Sequence, residues 1–325
     1  MKEINLLMTD TQRFSQAQLD AIAALGYKVD VLPDRQPLDP GRAADYEVVV
    51  CHSLFKFTPP NAFPNLKFVH SYATGVEALP LAALREAGLI VCKGKDLYSI
   101  PMAEWAVSKL LDVYKLSGRF AAQQKQHLWA KPTIERGERL MDELHGKRIA
   151  ILGAGDIAAA LCRMLRAFEV DRIVGMNSTG RPVEGYDAFF APDQMEAFLQ
   201  DSDVVVILAP LTAQTEGLFD DRTIACMKPG SILVSLSRGR IVKNDAVLRA
   251  LDSGHLRHFI ADVFEVEPLP AEHPFWARQD VTVTPHNSFI TDMRPARLYA
   301  LIYKNLARYA AGKAPEDQVD LDKGY

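Results

Sequence analysis

A glycine-rich turn between a strand pattern and a helix pattern constrains the fold of this 325-residue chain more than any other feature. The apolar run Lys147–Leu152 leads directly into Gly153, Gly155 and Ala158, in the spacing G-x-G-x-x-A. The first glycine allows a tight turn, the second lets the backbone approach a pyrophosphate, and the small third residue permits close helix–strand packing. Backbone N–H groups and the positive helix end then hold the phosphates.

An ordinary βα turn is the alternative, because this spacing alone is weak evidence. The preceding strand pattern and the following helix pattern favour dinucleotide binding. Asp156 is unusual here, since its carboxylate would repel phosphate unless it points away from the ligand. The predicted cofactor contacts in this turn are Gly153, Ala154, Gly155, Asp156 and Ile157.

Short apolar runs alternate with helical patterns along nearly the whole chain, which is typical of α/β architecture with a parallel sheet. An amphipathic helix pattern, Ser15–Leu25, lies between the first two strand patterns. Five strands with crossovers before residue 99 suggest a small flavodoxin-like layer. The predicted strands are Ile4–Met8, Lys28–Leu32, Tyr46–Cys51, Lys67–His70, Leu89–Cys92, Lys147–Leu152, Arg172–Met176, Asp203–Leu208, Ser231–Leu236, His258–Val263 and Val281–Thr284.

The remaining segments predict two long helices and a connecting arm. One helix pattern begins near Pro101 and runs towards Arg119, with Ser99 as its predicted cap. Residues 123–142 are polar and read as a loop or arm. The last helix pattern, Met293–Ala311, ends just before Gly312.

The motif map predicts two domains that are not consecutive halves of the chain. We expect a Rossmann-type doubly wound parallel sheet over residues 99–287, inserted into a smaller flavodoxin-like α/β domain. The smaller, discontinuous domain comprises residues 1–98 and the returning tail 288–325.

Charge and cysteine usage exclude several classes of protein. Lys plus Arg number 37 and Asp plus Glu number 41, so the formal charge of −4 argues against a nucleic-acid-binding surface. No stretch approaches about 18 consecutive apolar residues, so we expect no membrane span. No signal core opens the chain, which predicts a cytoplasmic protein. The cysteines, expected as buried thiols rather than disulfides or metal ligands, are Cys51, Cys92, Cys162 and Cys226.

The end of the second cofactor strand predicts which dinucleotide is bound. An acidic residue at this place would take the ribose hydroxyls of NAD, but no carboxylate occurs before Glu184. Hydroxyl and amide side chains can bond a 2′-phosphate, and an arginine can neutralise it. We therefore favour NADP(H) over NAD(H), against the alternative of a polar turn with a solvated arginine. The predicted contacts are Asn177, Ser178, Thr179 and Arg181.

Three segments after predicted strands carry residue types suited to keto-acid reduction or hydroxy-acid oxidation. They contain Arg238, Glu267 and His286, at the edge where open α/β sheets place ligands. Hydride delivery to a ketone builds alkoxide charge, and a histidine suits the proton transfer that neutralises it. A carboxylate can orient that histidine, and an arginine can hold a substrate carboxylate and polarise the carbonyl. Each residue alone could equally be a surface cation, a loop carboxylate or a turn histidine.

Taken in order, these segments resemble the D-isomer-specific 2-hydroxyacid dehydrogenases. Tyr72–Val76 is similar to the family's substrate-carboxylate loop, and Met102–Trp105 to its interdomain helix. Glu143–Ile149 leads into the glycine turn, and Ala209–Thr215 resembles a cofactor-side loop. The resemblance covers nearly the whole chain.

The resemblance implies a role for each site residue. Arg238 would bind substrate, Glu267 would be the carboxylate partner, and His286 would be the acid/base. Asp262 would hold the nicotinamide carboxamide. Backbone N–H groups of Thr74, Gly75 and Val76 would receive the substrate carboxylate, and the further cofactor contacts would be Ala209, Pro210 and Leu236. No metal is implied.

The activity that this resemblance implies is hydride transfer between NAD(P)(H) and a small 2-keto or 2-hydroxy acid of D configuration. Glyoxylate or hydroxypyruvate reduction is our first expectation, and phosphoglycerate oxidation is another. The residues after the histidine, Asn287–Phe289, depart from the usual aliphatic pattern and leave the substrate open. A homodimer through the cofactor domains is also implied, with Trp129 of the arm as a weak candidate for a neighbouring subunit's site.

A protein of a different class remains as the alternative. Some transcriptional corepressors share this scaffold, sense dinucleotides and turn over little substrate. Because fold alone does not decide function, the discriminating observation is turnover itself.

Overall fold

The computed structural model of the chain describes residues 3–76 and 78–322. Its contacts divide the chain into two compact units. The first unit comprises residues 1–97 and 291–325, and the second unit comprises residues 98–290.

Twelve strands and ten α-helices are present in the described residues. The strands are β1 (Ile4–Thr9), β2 (Tyr27–Leu32), β3 (Val48–Cys51), β4 (Phe68–Ser71), β5 (Ile90–Cys92), β6 (Arg148–Leu152), β7 (Arg172–Met176), β8 (Ala188–Phe190), β9 (Val204–Ile207), β10 (Ser231–Ser235), β11 (Leu256–Ala261) and β12 (Val281–Val283). The helices are α1 (Gln16–Ala23), α2 (Pro40–Ala43), α3 (Leu81–Glu86), α4 (Ser99–Tyr114), α5 (Ser117–Lys125), α6 (Asp156–Ala167), α7 (Met195–Leu199), α8 (Asp221–Ala225), α9 (Asn244–Asp252) and α10 (Arg294–Ala310).

The first unit is a five-stranded parallel sheet in the order β2-β1-β3-β4-β5. This is the flavodoxin-like order, as the sequence predicted. All four residues of β3 are fully buried, because a central parallel strand is covered on both faces. Helix α10 buries Leu298, Ile302 and Leu306, spaced four residues apart on one helical face. The Tyr27 hydroxyl donates to the carbonyl of Leu306 at 2.8 Å and links β2 to α10.

The second unit is a seven-stranded parallel sheet in the order β12-β11-β10-β9-β6-β7-β8. From β6 the chain builds one way through β7 and β8, then returns to build the other way from β9. The sheet therefore has a doubly wound Rossmann-type order, with its switch point between β6 and β9, which confirms the predicted fold class. Along β9, Val204 and Val206 face one core cluster while Val205 and Ile207 face the other. Helices α4 and α6 pack on the former face.

Several local predictions were wrong. The pattern from Pro101 to Arg119 forms two helices, α4 and α5, because Leu116 adopts a left-handed conformation with φ of 56°. Tyr98, not Ser99, occupies the N-cap position of α4 and makes no side-chain cap. The arm predicted as loop over residues 123–142 begins inside α5 and contains a short 3₁₀ turn at Ile134–Arg136.

Strand β8 was not predicted at all. It has only three residues, and it follows a polar stretch that carries no apolar run. Its pairing with β7 therefore depends on tertiary packing rather than on a local signal.

Two further findings concern the described part of the chain. None of its helices is both long enough and apolar enough to cross a bilayer. Within residues 3–76 and 78–322, no three His, Cys, Asp or Glu side chains are grouped to bind a metal ion.

Candidate active site

The glycine turn follows β6 at the switch point of the larger sheet. Gly153 has φ of 107°, and a Cβ at this position would lie 2.8 Å from the amide nitrogen of Ala209. Glycine is therefore required by both backbone conformation and the close approach of the loop after β9. At Gly155 φ is −90°, and a Cβ would meet no atom within 4 Å. The space beside Gly155 is open, as a turn that receives a pyrophosphate requires.

Helix α6 starts immediately after this turn. Gly155 is its N-cap, so Asp156 lies in the first turn rather than at the cap position. A carboxylate there is favourable toward the positive helix end. Ala158 is fully buried, which keeps the start of the helix close to the sheet. Ala154 and Ile157 are half-buried beside it.

The turn after β7 is folded by its own side chains. The Nδ2 of Asn177 donates to the carbonyl of Arg181 at 2.8 Å. The Oδ1 of Asn177 accepts from both the amide and the hydroxyl of Thr179 at 3.1 Å. Ser178, Thr179 and Arg181 are exposed at the carboxyl end of the strand. The structure thus brings together the four polar residues predicted for a 2′-phosphate, without a carboxylate among them.

The other predicted cofactor residues differ in their surroundings. Ala209 is buried and Pro210 is exposed in the loop after β9. The hydroxyl of Thr215 donates to the carbonyl of Pro210 at 2.7 Å and closes this loop. Leu236 is only 2% exposed and packs in the core cluster beneath α4 and α6.

Arg238 follows β10 and is exposed at its carboxyl end. Its Nη1 donates to the carbonyl of Ser237 at 2.9 Å. The next residue, Gly239, is buried, and a Cβ there would lie 1.9 Å from the carbonyl carbon of Phe264. Only glycine allows the segment with Arg238 to pack against the segment that leads to Glu267.

His286 and Glu267 meet at the same edge of the sheet. The Nδ1 of His286 lies 2.8 Å from Oε2 of Glu267, and the two side chains are 41% and 35% exposed. An ionised carboxylate only accepts, so the imidazole donates Nδ1–H, and Nε2 is the ring nitrogen left for another partner. Oε1 of Glu267 accepts the amide of Phe264 at 2.9 Å. Both oxygens of the carboxylate are therefore fixed.

Two aromatic rings lie beside this pair, and neither was predicted from the sequence to be at the site. The ring of Phe289 lies 5.7 Å from the ring of His286, at 88° to it. The ring of Tyr98 packs edge-on against Phe289 at 5.5 Å. An apolar wall therefore lies on one side of the imidazole.

Asp262 is fully buried at the end of β11. Its Oδ1 accepts the Thr284 hydroxyl at 2.5 Å and the Asn287 amide at 2.9 Å. Its Oδ2 accepts the Ser288 amide at 2.9 Å. All three donors belong to the segment that carries His286.

In the first unit, the loop Tyr72–Val76 follows β4. The amides of Thr74, Gly75 and Val76 donate to no acceptor within residues 3–76 and 78–322, and the buried Thr74 hydroxyl has no partner in that part of the chain either. The carbonyl of Tyr72 accepts from Nη2 of Arg294 at 3.3 Å, and its hydroxyl donates to the carbonyl of Thr9 at 3.1 Å. These two bonds of Tyr72 hold the start of the loop, while the N–H groups of Thr74, Gly75 and Val76 stay available to an anion.

A buried carboxylate in the first unit was not predicted from the sequence. Asp34 is 3% exposed and accepts the Thr9 hydroxyl and the amides of His52 and Ser53. Burial opposes ionisation, but these hydrogen bonds, together with one from Thr11, lower the pKa of Asp34 below its ordinary value. Asp34 therefore fixes the segment after β3, which no local pattern predicted.

Two other histidines are buried away from this chemistry. Burial lowers the pKa of His70 to about 4 and the pKa of His258 to about 4. His70 is bonded to the carbonyl of Ser71 and to Asn305, and His258 to the Thr282 hydroxyl. Both are neutral structural residues at neutral pH.

Comparison with known proteins identifies the family of this chain. The sequence profile of the D-isomer specific 2-hydroxyacid dehydrogenase, NAD binding domain, matches residues 107–288. A glyoxylate/hydroxypyruvate reductase A from Serratia proteamaculans is 29% identical over 309 residues, which cover 89% of this chain and 90% of that protein. An uncharacterised protein of Corynebacterium melassecola is 32% identical over 82% of this chain and 86% of its own length.

Solved structures give the same result. A D-isomer specific 2-hydroxyacid dehydrogenase from Xanthobacter autotrophicus in complex with NADPH and MES is 28% identical, with a TM-score of 0.76 over 99% of this chain and 100% of that one. An NADPH-dependent glyoxylate/hydroxypyruvate reductase from Sinorhizobium meliloti, in complex with NADP and sulfate, is 25% identical, with a TM-score of 0.72 over 100% of both chains.

Proposed function

Because the chain belongs to the D-isomer specific 2-hydroxyacid dehydrogenase family, we propose that it reduces a small 2-keto acid with NADPH to the D-2-hydroxy acid. The observation that carries this proposal is the pair His286–Glu267, joined at 2.8 Å through Nδ1, which leaves Nε2 of the imidazole for another partner. NAD(P)-dependent hydride transfer on a 2-hydroxy acid is the activity of the family.

The residues of the second unit fit the dinucleotide. The open space at Gly155 and the start of α6 suit the pyrophosphate, and the turn Asn177–Arg181 suits a 2′-phosphate. When bound, the nicotinamide supplies the hydride to a keto acid or accepts it from a hydroxy acid.

The protein's own residues do the rest of the chemistry. The Arg238 guanidinium holds the substrate carboxylate and polarises the reacting carbonyl. As charge develops on the carbonyl oxygen, Nε2–H of His286 donates a proton to it, and the product is the hydroxyl. Glu267 keeps the imidazole in this orientation through its hydrogen bond to Nδ1. In the oxidative direction His286 accepts the same proton.

The substrate carboxylate is also assigned to the amides of Thr74, Gly75 and Val76. That assignment is supported by their lack of acceptors in the described part of the chain and by the bracing of Tyr72 behind them. Successive backbone N–H groups of this kind can form an anion-binding concavity.

NADP(H) is proposed as the preferred cofactor. The support from this chain is the absence of a carboxylate at the end of β7 and the exposed Arg181 beside three polar side chains. The structures from Xanthobacter autotrophicus and Sinorhizobium meliloti were described with NADPH and NADP.

Glyoxylate and hydroxypyruvate are the proposed substrates. The relative from Serratia proteamaculans carries those two substrates in its name, as does the solved enzyme from Sinorhizobium meliloti. Both are small 2-keto acids with one carboxylate, which suits the guanidinium of Arg238.

We propose a homodimer that covers the arm after α5. The arm exposes large apolar side chains beside a groove of about 940 Å³, a surface that a monomer rarely leaves in water. Those side chains are Leu128, Trp129, Ile134, Leu140 and Met141, and Trp129 is 92% exposed.

We also propose a cytoplasmic location. The four cysteines are free thiols, in keeping with that location.

The test is a substrate panel read at the 340 nm absorbance of the reduced cofactor. We expect turnover of glyoxylate and hydroxypyruvate and a kcat/KM ratio of NADPH over NADH above one. A ratio below one would reverse the cofactor assignment. Tight NADPH binding without turnover of any 2-keto acid would favour the dinucleotide-sensing alternative.

A further inference from the structure

His286 has an unusual backbone conformation. Its φ is 51°, in the left-handed region that costs free energy for any side chain other than glycine. A residue stays in such a conformation only when the surrounding structure fixes it. The turn around His286 must therefore be held by specific contacts.

Asp262 supplies contacts on both sides of this residue. On the N-terminal side its Oδ1 accepts the Thr284 hydroxyl at 2.5 Å. On the C-terminal side Oδ1 accepts the Asn287 amide and Oδ2 accepts the Ser288 amide, each at 2.9 Å. A further bond, from the amide of His286 to the carbonyl of Thr284 at 3.0 Å, closes the turn.

These bonds account for both carboxylate oxygens of Asp262. The residue has 0% of its surface accessible, and every one of the three bonds is to the segment 284–288. Hydrogen bonds from backbone amides to a buried carboxylate are among the stronger ones in proteins. A contact with the nicotinamide, the role implied by family resemblance, is the alternative role for this residue.

We infer that Asp262 is a positioning residue that holds the turn Thr284–Ser288, and thereby sets the direction in which His286 presents Nε2. Glu267 fixes the ring of His286, and Asp262 fixes its backbone. Asp262 and Glu267 both lie on the segment that follows β11, so one segment supplies both constraints on His286. This inference rests on the proposed function in one respect, that His286 is the acid/base.

The first test uses the variants Asp262→Asn and Thr284→Val. The side-chain amide that Asp262→Asn introduces keeps the shape of the carboxylate, but its NH₂ group faces at least one of the three donors. Thr284→Val removes the hydroxyl that bonds Asp262 and keeps the shape of the side chain. Thr282→Val is the matched control, because its hydroxyl bonds His258 and not Asp262.

We expect kcat to fall about tenfold in Thr284→Val and further in Asp262→Asn, since buried hydrogen bonds of this kind are lost. The Kd for NADPH should stay within about twofold of wild type in all three variants, and Thr282→Val should keep its kcat. In a His286→Ala background, Asp262→Asn should lower kcat no further, because both act through one group. A raised Kd for NADPH with kcat unchanged would instead establish the nicotinamide contact and overturn the positioning role.

A second measurement does not depend on turnover. In NMR spectra of ¹⁵N-histidine-labelled enzyme, the Nδ1–H of His286, bonded to Glu267, should give a resolved low-field signal. We expect it in wild type and in Thr282→Val, and expect it weakened in Thr284→Val and lost in Asp262→Asn. If the signal is the same in all four proteins, the inference is wrong, whether or not the enzyme reduces 2-keto acids. If the signals behave as expected but no keto acid is turned over, the proposed function alone fails.

Discussion

The Nδ1–H of His286 donates to Oε2 of Glu267 across 2.8 Å, and Oε1 of the same carboxylate accepts the amide of Phe264. A carboxylate held at both oxygens cannot rotate, so the plane of the imidazole is fixed before any substrate arrives. Preorganised groups of this kind avoid reorganisation during the reaction. The pair therefore leaves Nε2 as the ring nitrogen available for proton transfer.

Replacing the imidazole tests the acid/base role directly. We expect His286→Ala to lower kcat by about 10²–10⁴-fold, since general acid–base catalysis contributes an effect of that size. The control is His145→Ala, a histidine with a 65% exposed side chain that lies outside the site. Steady-state kinetics at 340 nm measure both. An unchanged kcat in His286→Ala would remove this histidine from the mechanism.

Glu267→Gln changes the partner and keeps its size. Its NH₂ group faces either the Phe264 amide, where two donors oppose each other, or Nδ1 of His286, which must then give up its proton and take the Nε2–H tautomer. We expect kcat to fall about tenfold or more, with a smaller change in KM. Glu265→Gln is the matched control, because Glu265 binds the Asn244 amide and not His286. Equal kinetics in the two variants would contradict direct support of the imidazole.

Arg238→Lys keeps the charge and removes the planar fork. Lysine cannot bond a carboxylate with two parallel N–H groups, so we expect KM for the keto acid to rise about tenfold and kcat to fall as well. The Kd for NADPH, measured by fluorescence titration, should not change. Arg240→Lys, where the arginine pairs with Glu216 instead, is the control. Wild-type KM and kcat in Arg238→Lys would refute the substrate contact.

The glycine turn predicts a variant that folds normally and binds cofactor poorly. A Cβ at Gly155 meets no protein atom and φ there is −90°, so Gly155→Ala should leave Tm unchanged. The same methyl group would occupy the space for the pyrophosphate, and we expect the Kd for NADPH to rise about tenfold or more. Gly118→Ala, also in open space but in α5, should leave the Kd for NADPH unchanged. Undiminished NADPH affinity in Gly155→Ala would place the phosphates elsewhere.

The sequence was sufficient wherever a local pattern and the tertiary structure agree. The turn Gly153–Ala158 predicted its strand, its helix and the switch point, because its pattern of residue types is local, although the close approach of Ala209 that also requires Gly153 is not. His286 and Glu267, nineteen residues apart, could be paired only through the family resemblance, since spacing alone cannot show that two loops meet.

The sequence was insufficient where the deciding interaction is long-range. Gly239 is required because the backbone of Phe264 lies against it, and nothing within the local pattern shows that contact. The same is true of Asp34 and Asp262, whose partners lie 18 to 26 residues away in the chain. Helix α4 ended before its predicted limit because of one backbone angle at Leu116, a residue type that ordinarily continues a helix.

The buried His70 predicts how the stability of the first unit depends on pH. Burial lowers the pKa of His70 from 6.5 to about 4, so between these values the unfolded chain binds a proton that the folded unit does not. The stabilising contribution is complete above pH 6.5 and is lost as the pH falls towards 4, by about 3 kcal/mol. The three tryptophans lie at residues 105, 129 and 276, all in the second unit, so fluorescence cannot follow this change. Amide hydrogen exchange of β3 and β4 can.

The comparison is His70→Gln with His145→Gln, the second of which replaces an exposed histidine. From pH 6.5 to 4, the free energy of opening of β3 and β4 should fall less in His70→Gln than in wild type, by up to about 3 kcal/mol. His145→Gln should keep the wild-type slope. The free energy of opening should fall with falling pH more steeply in wild type, because His70 can take up a proton and become charged, whereas a neutral glutamine cannot. If wild type and His70→Gln lose stability in parallel over this interval, His70 is not the titrating group and its bonds to Ser71 and Asn305 accommodate the charged ring.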